Sequence, residues 1–201
     1  MSTNGRKNRF YEETLPEGYR EELVVDAGGS ELGSKLKTAT VLTDAVLFGI
    51  AFFVYIKPRM DEITAGFSAL KCVGFIAAYF LYIIMHELTH GIVYKLLTKQ
   101  KLTFGFKLPV AYCGVPGIYA YRITAMLSLL APLTLFSFIF AAAFFIFHDP
   151  FTRTLVLGLF VLHLSGCIGD LYNIGLYLSR FKKATVLRQD TGPKQIYCTK
   201  D

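Results

Sequence analysis

His86-Glu87-Leu88-Thr89-His90, an H-E-x-x-H stretch inside an otherwise apolar run, decides how this chain is read. On a helix at ~100° per residue, two histidines four apart lie ~40° from one another, a turn apart on one face. Both imidazoles can therefore reach one metal ion. Glu87 sits one step round the helix from His86, close enough to touch a water on that ion and poorly placed to be a third facial ligand, so its natural role is general base. Histidines can also sit in a bundle interior and bond to neighbours. Three ionisable residues within five positions of a membrane-depth segment are, however, costly to bury without a function.

The rest of the chain is apolar enough to make membrane depth the right frame. Of 201 residues 53% are hydrophobic and 15% aromatic, and the mean hydropathy is positive, which exceeds the norm for a soluble domain of this size. The formal charge of +6 comes from cations scattered beside apolar runs. They line no polar face or arm, which argues against a nucleic-acid partner. Cys72, Cys113, Cys167 and Cys198 form no C-x-x-C pair, so a zinc knuckle or disulfide framework is not expected. The polar, partly acidic N-terminus has no apolar core after its basic start and reads as neither signal nor transit peptide.

Four apolar runs follow, at about 39–56, 69–97, 123–147 and 154–178. The first stops at Lys57-Pro58-Arg59 with Asp44 at headgroup level, the second carries the H-E-x-x-H, the third is kinked by Pro132, and the fourth holds His163, Asp170 and Asn173. Residues 1–38 form a hydrophilic arm, with a turn at Leu15-Pro16-Glu17-Gly18 and a strand-like stretch at 21–25 before Gly28-Gly29, expected on the membrane surface or partly ordered. Between runs two and three, Phe104, Phe106, Leu108 and Val110 alternate with smaller or polar residues before Cys113-Gly114-Val115-Pro116-Gly117, a β-hairpin-like pattern. Its free edge can hold an extended peptide, or the loop can be an aromatic anchor in the membrane interface. The reading predicts an all-α integral membrane protein of four transmembrane helices with a short interfacial hairpin between helices two and three. The expected divisions are an arm (1–38), a membrane domain (39–181) and a tail (182–201).

Seventeen Lys and Arg fall in the arm, the loop with its flanks and the tail, against Lys57, Arg59, Lys71 and Arg153 on the other side. That asymmetry predicts a multi-pass protein of the plasma membrane with both termini in the cytosol. In this topology His86 lies 16 residues beyond Leu70 and Asp170 lies 16 beyond Thr154. At ~1.5 Å per residue both sit ~24 Å down a core about 30 Å thick.

A catalytic zinc wants three protein ligands and an open position. No glutamate follows Glu87, and the downstream candidates are His148, Asp149, His163, Cys167, Asp170, Asp190 and Asp201. The loop and tail residues among them lie off the level of the histidines, which leaves Asp170, whose alternative is a carboxylate paired inside the bundle. Asn173, three residues on, can orient Asp170, bind a substrate carbonyl, or be a polar packing contact. His163, ~10 Å further out on the same face, reads as support or packing, and Cys167 as a small buried thiol.

The HELTH helix, the aromatic hairpin-like loop, Ala131-Pro132 and Ser165-Gly166-Cys167-Ile168-Gly169-Asp170 together resemble the putative zincin peptidases, small bacterial membrane proteins similar to the site-2 intramembrane metalloproteases. The resemblance implies that His86, His90 and Asp170 bind zinc and that Glu87 is the base. It departs from the site-2 pattern where Gly169 precedes the aspartate instead of following it, and where Ala131-Pro132-Leu133 lacks an asparagine. Two functions follow: a zinc metallopeptidase acting on a peptide or membrane protein in or next to the bilayer, or a non-catalytic metal-binding sensor or scaffold. A binding site has no need of a carboxylate at position 87, which favours the enzyme.

Overall fold

Apolar runs separated by short polar segments fold into a bundle of helices with an antiparallel sheet at one end. The computed structural model describes residues 9–26, 31–107 and 110–200. Helix α1 (Glu31–Ala51) does not stop at Lys57-Pro58-Arg59. It continues through a π turn (Phe52–Ile56), a 3₁₀ turn (Lys57–Arg59) and α2 (Met60–Ala65), 35 residues in all. The Lys57 N–H bonds Phe52 O across the widened turn. Pro58 then stands in a first turn, where a missing N–H costs little.

Helix α3 (Ala69–Thr98) begins at Ser68, whose side chain accepts from the Lys71 N–H, and ends at Lys99 in the left-handed conformation (φ 58°). Leu70, Val73, Ile76, Phe80 and Ile84 are exposed along one side, while Tyr82, His86, Thr89, His90 and Tyr94 are buried on the other. The lipid-compatible stripe thus faces out and the ionisable stripe faces in.

Helix α4 (Arg122–Ile146) holds Pro132 in its interior. The fourth apolar run, read as one span at 154–178, is broken into α5 (Pro150–Gly166) and α6 (Ile168–Ser179), bent by 42° at Cys167. Gly166 and Gly169, both weak helix formers, flank the break. The bend puts Asp170 in the first turn of a new helix. Three helices are long and apolar enough to cross a membrane, four if the bent pair is one span. Asp44, expected at headgroup level, accepts from Ser165 Oγ at 2.5 Å and ties α1 to α5.

The all-α expectation needs correcting. Six strands, β1 (Tyr11–Glu12), β2 (Tyr19–Asp26), β3 (Thr103–Lys107), β4 (Val110–Tyr121), β5 (Leu187–Asp190) and β6 (Lys194–Lys200), form one antiparallel sheet. Its order is β1-β4-β5-β6-β2, with β3 also paired to β4. The expected hairpin is only its β3–β4 part, and arm and tail supply the rest. Pairs such as Tyr19 with Lys200 and Val115 with Asp190 join segments that no local pattern links. Leu108 of the hairpin and Gly28-Gly29 lie outside the described residues.

The sheet sits directly on the helices. Tyr94 of α3 packs with Val115, Ile118 and Ala120 of β4, while Tyr197 of β6 packs with Leu129 of α4 and Tyr177 of α6. Gly91 lets the β3–β4 hairpin come close to α3, because a Cβ there would lie 2.9 Å from Cys113 Sγ and 3.0 Å from the Phe104 ring. Gly114 does the same for the tail, since its Cβ would lie 2.5 Å from the Gly192 backbone nitrogen. Main chain cannot move aside as a side chain can, so this approach is fixed.

Candidate metal centre

The inward stripe of α3 meets α6 where the fourth run breaks. Asp170 Oδ2 lies 3.3 Å from His86 Nε2 and 3.4 Å from His90 Nε2, all three side chains largely buried. Tetrahedral zinc with bonds near 2.0–2.1 Å spaces its ligand atoms about 3.3–3.4 Å apart, a separation that both of these distances match. His86, Glu87 and His90 also bring one ligand atom each within 4.8 Å of one another.

The other ring nitrogens are occupied. His90 Nδ1 lies 2.8 Å from the Ser128 carbonyl. In a regular helix that carbonyl would accept the N–H of residue 132, but Pro132 has none. The proline inside α4 thereby leaves an acceptor free for His90. His86 Nδ1 lies 3.1 Å from Tyr82 Oη, and the same hydroxyl lies 3.0 Å from His163 Nδ1. Metal-ligating histidines commonly have their second nitrogen so engaged.

A cavity of about 160 Å³ holds His86, Glu87, His90, Asp170 and Asn173 against Ala111, Tyr112 and Cys113 of β4 and Arg188 and Asp190 of β5. Glu87 and Cys113 line this cavity together. At Ala111–Cys113, β4 is paired with β3 alone among the described residues, and its pairing with β5 starts at Val115. A second, more open cavity of about 440 Å³ reaches His86 and Glu87 from between Lys37, Thr40 and Val41 of α1 and Tyr79 and Ile83 of α3.

The other residues singled out in the sequence fall in several places. Both ends of the Asn173 amide are engaged: Nδ2 donates to Gly169 O at 2.8 Å and Oδ1 accepts from Tyr197 Oη at 2.6 Å, tying α6 to β6. Asp149 caps α5 and pairs with Lys71 at 2.7 Å, and this ammonium together with Thr152 holds its carboxyl down at about 2. Asp190, set aside in the sequence as a tail residue, lines the same cavity as the histidines because β5 pairs with β4. There it takes Arg188 Nη2 at 2.9 Å, Tyr94 Oη at 3.2 Å and the Gly192 N–H at 3.1 Å. Burial, with Asp190 close by, pushes the Cys113 thiol up to about 12, so it stays protonated at neutral pH. Tyr82, Ser128, Arg188 and Asp190 are what the sequence reading missed. Tyr82 had a signal, four residues before His86 on the same face, and so did Ser128, four before a proline.

The family described as "Putative zincin peptidase" matches residues 79–186, more than half of the chain. This protein belongs to that family. The matched stretch carries the H-E-x-x-H helix, the β3–β4 hairpin, α4 and the α5–α6 break, whereas α1, β1, β2, β5 and β6 lie outside it. The zincin-peptidase assignment and the His/Glu/His group together favour zinc as the metal and a peptide as the substrate. Comparison with curated proteins and with solved structures gave no match.

Proposed function

We propose that the protein is a membrane-embedded zinc metallopeptidase that hydrolyses a peptide bond in or next to the bilayer, with His86, His90 and Asp170 as ligands and Glu87 as general base. The observation that carries this reading is the approach of both Nε2 atoms to one Asp170 oxygen, with Glu87 in the same cavity. When bound, zinc supplies Lewis-acid chemistry, acidifying water and polarising a carbonyl. Each of the chain's own groups then has a task. The Glu87 carboxylate takes a proton from the attacking water and returns it to the leaving amine nitrogen. Ser128 O and Tyr82 Oη keep the two imidazoles turned towards Asp170.

The cavity also limits the form of the substrate. A cavity of about 160 Å³ has room for a short piece of extended chain and not for a helix ~10 Å across. A membrane substrate must therefore unwind locally, and each backbone group so freed costs several kcal/mol at membrane depth unless it is paired. The β4 edge at Ala111–Cys113 offers such partners beside Glu87. The wider cavity between α1 and α3 gives a second approach to Glu87.

Cleavage of a membrane-tethered peptide by wild type and by Glu87→Gln tests the reading. The variant is expected to lose about 10²-fold or more of the rate, as for a missing general base. Equal rates, or no cleavage by zinc-loaded wild type of any peptide in a diverse tethered library, would contradict it and favour the sensor or scaffold.

A further inference from the structure

Behind the metal centre a buried chain of polar groups runs from α3 through α5 to α4. Tyr82 Oη sits between His86 Nδ1 at 3.1 Å and His163 Nδ1 at 3.0 Å. His163 Nε2 then lies 3.3 Å from the Leu133 carbonyl and 3.1 Å from Ser137 Oγ. His163, fully buried, stacks on Phe160, meets Tyr82 edge-on and has Phe140 tilted beside it. His86, His163 and Cys167 bring ligand atoms within 4.8 Å and would pass for a second metal site, but the Tyr82 hydroxyl occupies the space between the two Nδ1 atoms.

We infer that Tyr82 and His163 are positioning residues that fix the tautomer of His86, and that the direction of the whole chain is set by the Leu133 carbonyl. The argument is one of donors and acceptors. A peptide carbonyl only accepts, so neutral His163 carries its one ring proton on Nε2, facing Leu133 O. Its Nδ1 is then an acceptor. The single Tyr82 proton goes to that nitrogen, which leaves Tyr82 Oη to accept from His86. His86 is accordingly protonated on Nδ1, and its Nε2 lone pair faces Asp170 Oδ2 at 3.3 Å. Ser137 Oγ can donate or accept and adapts to either direction, so it sets nothing. Cys167 Sγ, 3.7 Å from His163 Nδ1, is at most a weak additional donor to the same acceptor. His90 needs no such chain, since its Nδ1 meets the Ser128 carbonyl directly.

This inference rests on the ligand assignment proposed above, and the experiment separates the two. Zinc affinity is measured by chelator competition on the full-length protein in detergent for wild type, Tyr82→Phe, His163→Leu and His163→Gln, with the visible spectrum of bound Co²⁺ as a second readout. Tyr82→Phe and His163→Leu are expected to weaken zinc by about 10- to 100-fold, as for other lost partners of a ligand histidine, and to alter the Co²⁺ bands. His163→Gln is expected to recover most of the loss, because its amide can donate to Leu133 and accept from Tyr82 as the native ring does; a purely space-filling role would not favour it over Leu. Affinities within twofold of wild type in both Tyr82→Phe and His163→Leu would overturn the relay and leave the ligand set standing. Equal weakening by Gln and Leu would show that the ring at 163 acts by filling space and would overturn its hydrogen-bonding role. Should Tyr82→Phe fail to fold, the comparison of Gln with Leu at 163 still decides. No zinc on wild type would instead remove the ligand assignment itself.

Discussion

Asp170 and Glu87 share one cavity, and their surroundings differ. Asp170 Oδ2 faces two Nε2 atoms, whereas Glu87 lines the cavity beside Cys113 of β4. The His/Glu/His group was legible because spacing alone puts it on one helix face. Asp190 was not, because its place depends on a sheet. It is the acidic partner of Arg188, whose side chain is 3% exposed and whose Nε and Nη1 find no acceptor among the described residues. Asp190→Ala leaves that guanidinium buried without its counter-charge, for which about 3–5 kcal/mol of destabilisation is expected. Replacing both residues with apolar ones of similar size should recover most of the loss. Thermal unfolding in detergent checks this, and a single variant as stable as wild type would contradict it.

Proline in a spanning helix is usually read as a kink, and the sequence reading of Pro132 went no further. In α4 its second effect matters more: the missing N–H releases the Ser128 carbonyl for His90. Pro132→Ala restores a competing donor while improving helix propensity by up to about 3 kcal/mol. The expected outcome is a protein that unfolds at higher temperature and yet binds zinc less tightly, by up to about 10-fold, since a carbonyl can share its two lone pairs. Unchanged zinc affinity would show that Ser128 does not depend on the proline. The α5–α6 break was also illegible as a break. Gly166 and Gly169 were visible, but glycines in a membrane helix equally allow close packing, and only the fold shows which role they have.

At the scale of the whole molecule the sheet is a topological constraint. Its strands come from the arm (β1, β2), from the segment between α3 and α4 (β3, β4) and from the tail (β5, β6), so all three lie on one side of any membrane the helices cross. These segments, together with the helix ends that flank them, hold seventeen of the 21 Lys and Arg. The charge pattern could be counted in the sequence, and so could the strand-like stretch at 21–25 that falls in β2 and the hairpin that is β3–β4, but not the sheet that joins them to the tail. Strands β1 and β5 are only two and four residues long, and partners stand up to 181 residues apart, as Tyr19 and Lys200 do. With the basic side cytosolic, a thiol introduced at exposed Asp61 in a Cys72→Ser background should be labelled in intact cells by an impermeant reagent, and one at exposed Lys183 should not. Labelling at Lys183 alone would reverse the orientation, and labelling at both would contradict the shared side.

Zinc content of the purified protein, compared between wild type and Asp170→Ala, tests the central claim most directly, because the claim is that α3 and the broken fourth helix make one metal centre. One zinc per chain in wild type and in Glu87→Gln, with little or none in Asp170→Ala, is the predicted result. Full occupancy in Asp170→Ala would contradict the assignment of His86, His90 and Asp170 as the ligands.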